Sequence, residues 1–138
     1  MARRFDLLVF DWDGTLMDSP GAIVGAVQAA CRDLGVPEPS YAHASHAIGL
    51  GLVDALRHSA PGLSESERLK MVERYRFHYL SHDHELNLYH GAAELIADLH
   101  ASGYVLAVAT GKSRKGLDRA LMHSGLGGYF SATRTADE

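Results

Sequence analysis

One cysteine in 138 residues leaves no internal disulfide, so Cys31 suits a reducing cytoplasm better than a disulfide-stapled secreted fold. Its place on an apolar helical stripe makes it a small core side chain rather than a reactive thiol. No apolar stretch approaches the roughly 20 residues a membrane span needs. Met1-Ala2-Arg3-Arg4 is basic, but the apolar run behind it is too short for a signal peptide and carries Asp6. Positive charge is also scarce. Thirteen Lys and Arg face 17 Asp and Glu, a net charge of −4, which argues against non-specific nucleic-acid binding. Internal repeats and low-complexity segments are lacking. What remains, 46% apolar and 22% charged residues, is the composition of a globular domain long enough to bury a core.

The periodicity changes along the chain. Phe5–Phe10 reads as a short buried strand ended by an Asp/Gly turn. Ser19-Pro20 is a helix start, and Ile23, Val27, Cys31 and Leu34 recur at helical spacing before Gly35. Tyr41–Ala47 and Leu52–Ser59 predict two short helices around Gly49-Leu50-Gly51. Ser64-x-x-Glu67 is a capping box opening a long helix, with Leu69, Val72, Tyr75 or Arg76, and Tyr79 on its apolar face. Beyond residue 87 helices and strands alternate. Ala92–Ser102 predicts a helix with Leu95, Ile96 and Leu99 on one face. Tyr104–Ala109 is an apolar strand, residues 114–124 a helix closed by Gly125, and Ala132–Thr135 the start of a third strand. The pattern predicts an α/β fold, a Rossmann-like parallel sheet (residues 1–17 and 88–138) interrupted by an all-helical insertion over 18–87.

The chemistry concentrates at Asp11-Trp12-Asp13-Gly14-Thr15, at the carboxyl end of the first strand, where open α/β sheets bind their ligands. Asp11 and Asp13 start on the same side of the strand, two positions apart. Two such carboxylates repel unless a cation sits between them or one takes a proton. Thr110-Gly111 ends the second apolar strand. Lys112 and Arg114 follow at a helix start, where cations oppose the helix dipole and want an anion nearby. For Arg114, a solvated loop charge is an equally good reading.

Asp-x-Asp-Gly-Thr after an apolar strand resembles the first motif of the haloacid dehalogenase-like hydrolases. The continuation Asp13-Gly14-Thr15-Leu16-Met17-Asp18 is similar to their phosphoglycolate phosphatase group. The resemblance implies a Mg²⁺-dependent phosphatase acting on a small phosphorylated metabolite, with 2-phosphoglycolate as the first candidate. It implies Asp11 as nucleophile and Asp13 as acid/base. An Asp11 oxygen and the Asp13 backbone carbonyl would be the Mg²⁺ ligands. Backbone N–H groups of Trp12, Asp13 and Gly14 would face the phosphate, with the Trp12 ring packing on the opposite side. Thr110-Gly111 resembles the second motif, with the Thr110 hydroxyl on the phosphate and Lys112 beside it. The helical insertion corresponds to the family's mobile cap. Within that insertion, Gly49-Leu50-Gly51 reads equally as a specificity loop or a plain turn, and Asp18 as a shaper of the cap base or a helix-start residue. His82-Asp83-His84-Glu85 reads as a solvated linker in preference to a zinc site, because its spacing does not converge.

The family pattern continues with a lysine motif and an acidic motif, neither of which can be located in these residues. The sequence therefore predicts the N-terminal part of a phosphatase: an incomplete core, inactive by itself, whose first strand keeps an unpaired edge able to self-associate. A phosphomutase or another small phosphate ester hydrolase on the same scaffold is the alternative enzyme. A non-catalytic fragment that associates through its sheet edge is the alternative outside enzymology. A phospho-acceptor receiver domain also places an Asp at a strand end, but lacks the helical insertion and the Asp-x-Asp-Gly-Thr loop.

Overall fold

The computed structural model describes residues 3–138; Met1 and Ala2 of the basic N-terminus lie outside the described residues. The elements run β1 (Leu7–Phe10), α1 (Pro20–Leu34), α2 (Tyr41–Ser45), α3 (Leu52–Ser59), α4 (Glu65–His82), α5 (Ala92–Ala101), β2 (Val105–Ala109), α6 (Arg114–Ser124) and β3 (Ala132–Arg134). Single 3-10 turns sit at Asp83–Glu85 and Gly127–Tyr129. The chain divides into two compact units. One is Ser19–Leu86; the other combines the segment ending at Asp18 with Asn87–Glu138.

The second unit is mixed α/β, with a three-stranded parallel sheet in the order β1-β2-β3. Leu7 pairs with Val105 and Phe10 with Val108; Ala107 pairs with Ala132 and Ala109 with Arg134. β1 begins two residues later than its apolar pattern predicts, although the Asp6 carbonyl still accepts from Val105 N–H. Right-handed crossovers running in one direction put both connecting helices on one face of a sheet. The burial pattern has that asymmetry: Leu106 and Val108 are buried and Leu8 and Phe10 half-buried. On the opposite face Leu7 is 51% exposed, Val9 57% and Val105 48%. β1 is an edge strand of this sheet.

The helical unit has its own core. Val27, Ala30 and Cys31 of α1, Leu56 of α3, Ala60 just after α3 and Met71 of α4 form one buried cluster, flanked by Leu34, Val36, Leu52, Leu63, Val72 and Tyr75. Burial raises the Cys31 thiol pKa, aided by the nearby Glu38 carboxylate. α4 opens with both halves of the capping box: Glu67 N–H donates to Ser64 Oγ, and Ser64 N–H donates to Glu67 Oε2. Its inward face is shifted from the sequence expectation. Met71 is fully buried, whereas Leu69 is 68% exposed. Polar side chains occupy part of the inward turn: Asp33 accepts from Arg74 Nε and His78 Nε2, both at 2.7 Å. Leu95 of α5 is likewise exposed, while its neighbour Ile96 is buried. α2 and α3 are tied by reciprocal bonds, His43 Nε2 donating to the His58 carbonyl (2.8 Å) and His58 Nε2 to the His43 carbonyl (3.0 Å). A carbonyl only accepts, so both imidazoles carry their proton on Nε2. Among the described residues no helix is long and apolar enough to cross a membrane.

Candidate active site

The chain leaves β1 into a single tight turn. Three amides, of Thr15, Leu16 and Met17, donate to the Trp12 carbonyl at 3.0–3.1 Å, and Gly14 N–H returns to the Met17 carbonyl at 2.9 Å. Gly14 sits at φ 75°, a conformation that strains a residue with a Cβ, which is why the turn needs glycine there. Asp13 bridges to Met17, so the turn that follows the second carboxylate is pinned to it. Asp11 is exposed at the strand mouth, and its Oδ1 accepts from Trp12 N–H at 2.7 Å. The Trp12 and Gly14 amides, read from the sequence as phosphate donors, thus carry intramolecular bonds in this structure. The Trp12 ring is completely buried and its Nε1 has no hydrogen-bond partner.

β2 runs parallel to β1, so its carboxyl end opens at the same edge of the sheet. Thr110 follows immediately: its N–H donates to the Arg134 carbonyl at 3.0 Å, and its Oγ1 accepts from Lys112 N–H at 3.1 Å. Gly111 is half-buried between them. Lys112 Nζ lies 3.3 Å from Asp13 Oδ1, joining the two sequence-predicted clusters across the strand ends. Ser113 caps α6, accepting from Gly116 N–H.

Arg114 is not a solvated loop charge. Its backbone N–H donates to Asp137 Oδ1 at 2.8 Å, its Nε to Glu138 Oε1 at 2.7 Å, and its Nη1 to Thr133 Oγ1 at 2.8 Å. It clamps the start of α6 to the segment leaving β3. The Thr135 hydroxyl, then the Arg114 amide, hold the Asp137 pKa below its ordinary value. Glu138 is held down by the Arg114 guanidinium. Pairing across more than 20 residues is invisible to local pattern; the only signal was a cation at a helix start.

Gly49-Leu50-Gly51 forms the turn between α2 and α3, with Gly49 at φ 101° and Leu50 N–H donating to the Ala47 carbonyl. Asp18 N–H donates to the Asn87 carbonyl at 2.9 Å. His82, His84 and Glu85 sit exposed at the end of α4, with Glu85 near both imidazoles at 3.4 and 3.8 Å. Among the described residues no group of three His, Cys, Asp or Glu side chains converges as a metal cage.

Residues 8–138 match the family model of haloacid dehalogenase-like hydrolases. The tyrosine-protein kinase PtkA of Mycobacterium tuberculosis (strain ATCC 25618 / H37Rv) is 38% identical over 125 residues, 90% of this chain and 42% of that protein. The phosphoglycolate phosphatase of Aliivibrio fischeri is 34% identical over 140 residues, 95% of this chain and 61% of that protein. The crystal structure of a predicted phosphoglycolate phosphatase from Haemophilus somnus superposes with a TM-score of 0.85 at 28% identity, covering 97% of this chain and 64% of that one. The chain therefore spans between 42% and 61% of the length of these two curated relatives.

Proposed function

Because the chain belongs to the haloacid dehalogenase-like hydrolases, we propose that it carries the nucleophile and acid/base of a phosphatase acting on a small phosphomonoester. The observation that supports this most is the meeting of Asp11-x-Asp13 with Thr110 and Lys112 at one edge of the sheet, through the 3.3 Å Lys112–Asp13 contact. Asp11 attacks phosphorus, forming an aspartyl-phosphate as the bond to the leaving oxygen breaks; Asp13 gives that oxygen its proton. Asp13 then takes a proton from the water that attacks the aspartyl-phosphate, releasing inorganic phosphate and regenerating Asp11. Thr110, Gly111 and Lys112 hold the phosphate, with the Trp12 and Gly14 amides available only if their present bonds exchange.

The oxygen donors here, the Asp11 carboxylate and the Asp13 backbone carbonyl, suit Mg²⁺, which favours one or two carboxylates plus water and phosphate oxygens. When bound, the ion offsets the repulsion between the Asp11 carboxylate and an anionic substrate. The phosphoglycolate phosphatase relative from Aliivibrio fischeri supports 2-phosphoglycolate as the first substrate to test. The helical unit Ser19–Leu86 is the cap that selects it, and the buried lone Cys31 supports a cytoplasmic location.

The test is a Mg²⁺-dependent release of phosphate from a panel of 2-phosphoglycolate, sugar phosphates, nucleoside monophosphates and a phosphotyrosine peptide. Asp11→Asn serves as control. Turnover abolished by Asp11→Asn supports the reading, and the preferred substrate names the class. Turnover that survives Asp11→Asn places the chemistry elsewhere. A second reading concerns association. Leu7 and Val9 are exposed on the edge strand β1, which supports pairing between copies along that edge. Sedimentation of the wild type against Val9→Lys checks it: a dimer unaffected by the substitution sinks this reading.

A further inference from the structure

We propose that Lys112 is a positioning residue for Asp13, its ammonium holding the acid/base carboxylate in the pose that serves the leaving group. This rests on the aspartyl-phosphate reading above, and it assigns Lys112 a duty separate from phosphate binding. The case begins with placement. Lys112 directly precedes Ser113, the cap of α6, where a cation faces the positive end of the helix dipole. Such a residue needs an anionic neighbour, and the protein supplies one in Asp13 Oδ1 at 3.3 Å.

The pair is also enclosed. The Lys112 and Asp13 side chains are only 13% and 11% exposed, whereas the surface pair Arg32–Glu38 is 59% and 39% exposed. Solvent and salt screen an enclosed pair far less than a surface one. Both backbones are anchored independently of the pair. Lys112 N–H is held by Thr110 Oγ1 and its carbonyl accepts from Ala136 N–H at 2.9 Å, while Asp13 is bridged to Met17 within the tight turn. What stays adjustable is the side-chain pose of Asp13, and the Lys112 ammonium selects it. An ammonium has three donors, so contact with Asp13 is compatible with contact to a phosphate oxygen.

The two duties differ in what they affect. A phosphate ligand acts on every phosphate ester. A residue that aims the acid matters most when the leaving alkoxide needs a proton, and least for p-nitrophenolate, which departs without one. The experiment compares Lys112→Met, Lys112→Arg and wild type on 2-phosphoglycolate and p-nitrophenyl phosphate. The ratio of kcat for the alkyl ester to kcat for the aryl ester is expected to fall about tenfold in Lys112→Met. Lys112→Arg, which can still hold a carboxylate, should restore most of it. An unchanged ratio, with the loss confined to KM or to inhibition by inorganic phosphate, makes Lys112 a phosphate ligand only and overturns the proposal. A second readout needs no turnover. The Lys112 ammonium ¹⁵N resonance, observable when exchange is slowed by an ion pair, should weaken or vanish in Asp13→Asn. If wild type turns over nothing, as the incomplete core read from the sequence predicts, the ammonium readout decides. In that case an ammonium signal indifferent to Asp13→Asn overturns the Lys112 assignment, and loss of the signal upholds the pairing.

Discussion

In the helical unit, six side chains from α1, α3, α4 and the turn after α3 are sealed together at 7% exposure or less. In the sheet unit, the strands are at least as apolar in sequence, yet Leu7, Val9 and Val105 face outward and are about half exposed. The difference lies in how each element hides its apolar surface. A helix needs only one stripe covered, and three helices can cover one another. A sheet has two faces and an edge, and helices carried on one face leave the other bare. Apolar content therefore predicts closure in the helical unit and predicts only a need for cover in the sheet unit.

Met71→Ala should break the helical side of that comparison hardest. A buried methionine in a closed cluster costs about 2–5 kcal/mol on truncation, read as a lowered urea midpoint. A loss below 1 kcal/mol, within the ordinary range for surface substitutions, would mean the cluster is not closed. Ser64→Ala removes one half of the capping box at α4 and should cost about 1 kcal/mol in the same assay, with Ser64→Thr nearly silent. Val9→Lys sharpens the sheet side. Its stability change should stay within about 0.5 kcal/mol, because the side chain it replaces already meets solvent. A large loss would show that this face is covered in solution.

The smallest effect compares acid sensitivity. Asp33 in the helical unit has its pKa lowered, first by the hydrogen bond from His78 and then by Arg74. Asp137 and Glu138 in the sheet unit are lowered by Thr135 and Arg114. A depressed folded pKa adds stability that is present above the unfolded carboxylate value and lost as pH falls through the folded one. Both units should therefore weaken below about pH 4, the ordinary carboxylate range. Asp33→Asn should flatten the acid limb of thermal melts, and Glu138→Gln should do so to a similar or lesser degree. An acid limb unchanged in both variants would assign the acid loss to other carboxylates.

Local signals carried much of this architecture. Pro20 and Gly35 bound α1, the Ser64 capping box opens α4 and Gly125 closes α6 where the sequence places them, because those signals act within one turn of the helix; the Ser19 hydroxyl, read as a cap, makes no capping bond. The paired carboxylates were legible for the same reason: Asp11 and Asp13 are two residues apart just beyond an apolar strand. The inward face of α4 was not legible, because Leu69 fits the helical period as well as Met71 does. The choice shows only in the packed unit, where Met71 joins the buried cluster and Arg74 and His78 reach Asp33 of α1. The Lys112–Asp13 contact and the Arg114 clamp join residues far apart in sequence, so they appear only once β1, β2 and β3 are in register.

The short ladder between the two chain segments that flank the helical insertion has a consequence for how such a protein can vary. Asp18 N–H bonds the Asn87 carbonyl, Tyr89 N–H bonds the Leu16 carbonyl, and Met17 bridges Leu88 in antiparallel fashion. The whole of Ser19–Leu86 therefore leaves and re-enters the sheet unit through one hairpin neck. To the sheet, the insert is a single loop whose two ends are already pinned side by side. Loop-closure entropy grows only slowly with length, by about 0.6 kcal/mol per doubling. The neck acts as a socket: inserts of different size and shape can be exchanged there while the strands keep their register.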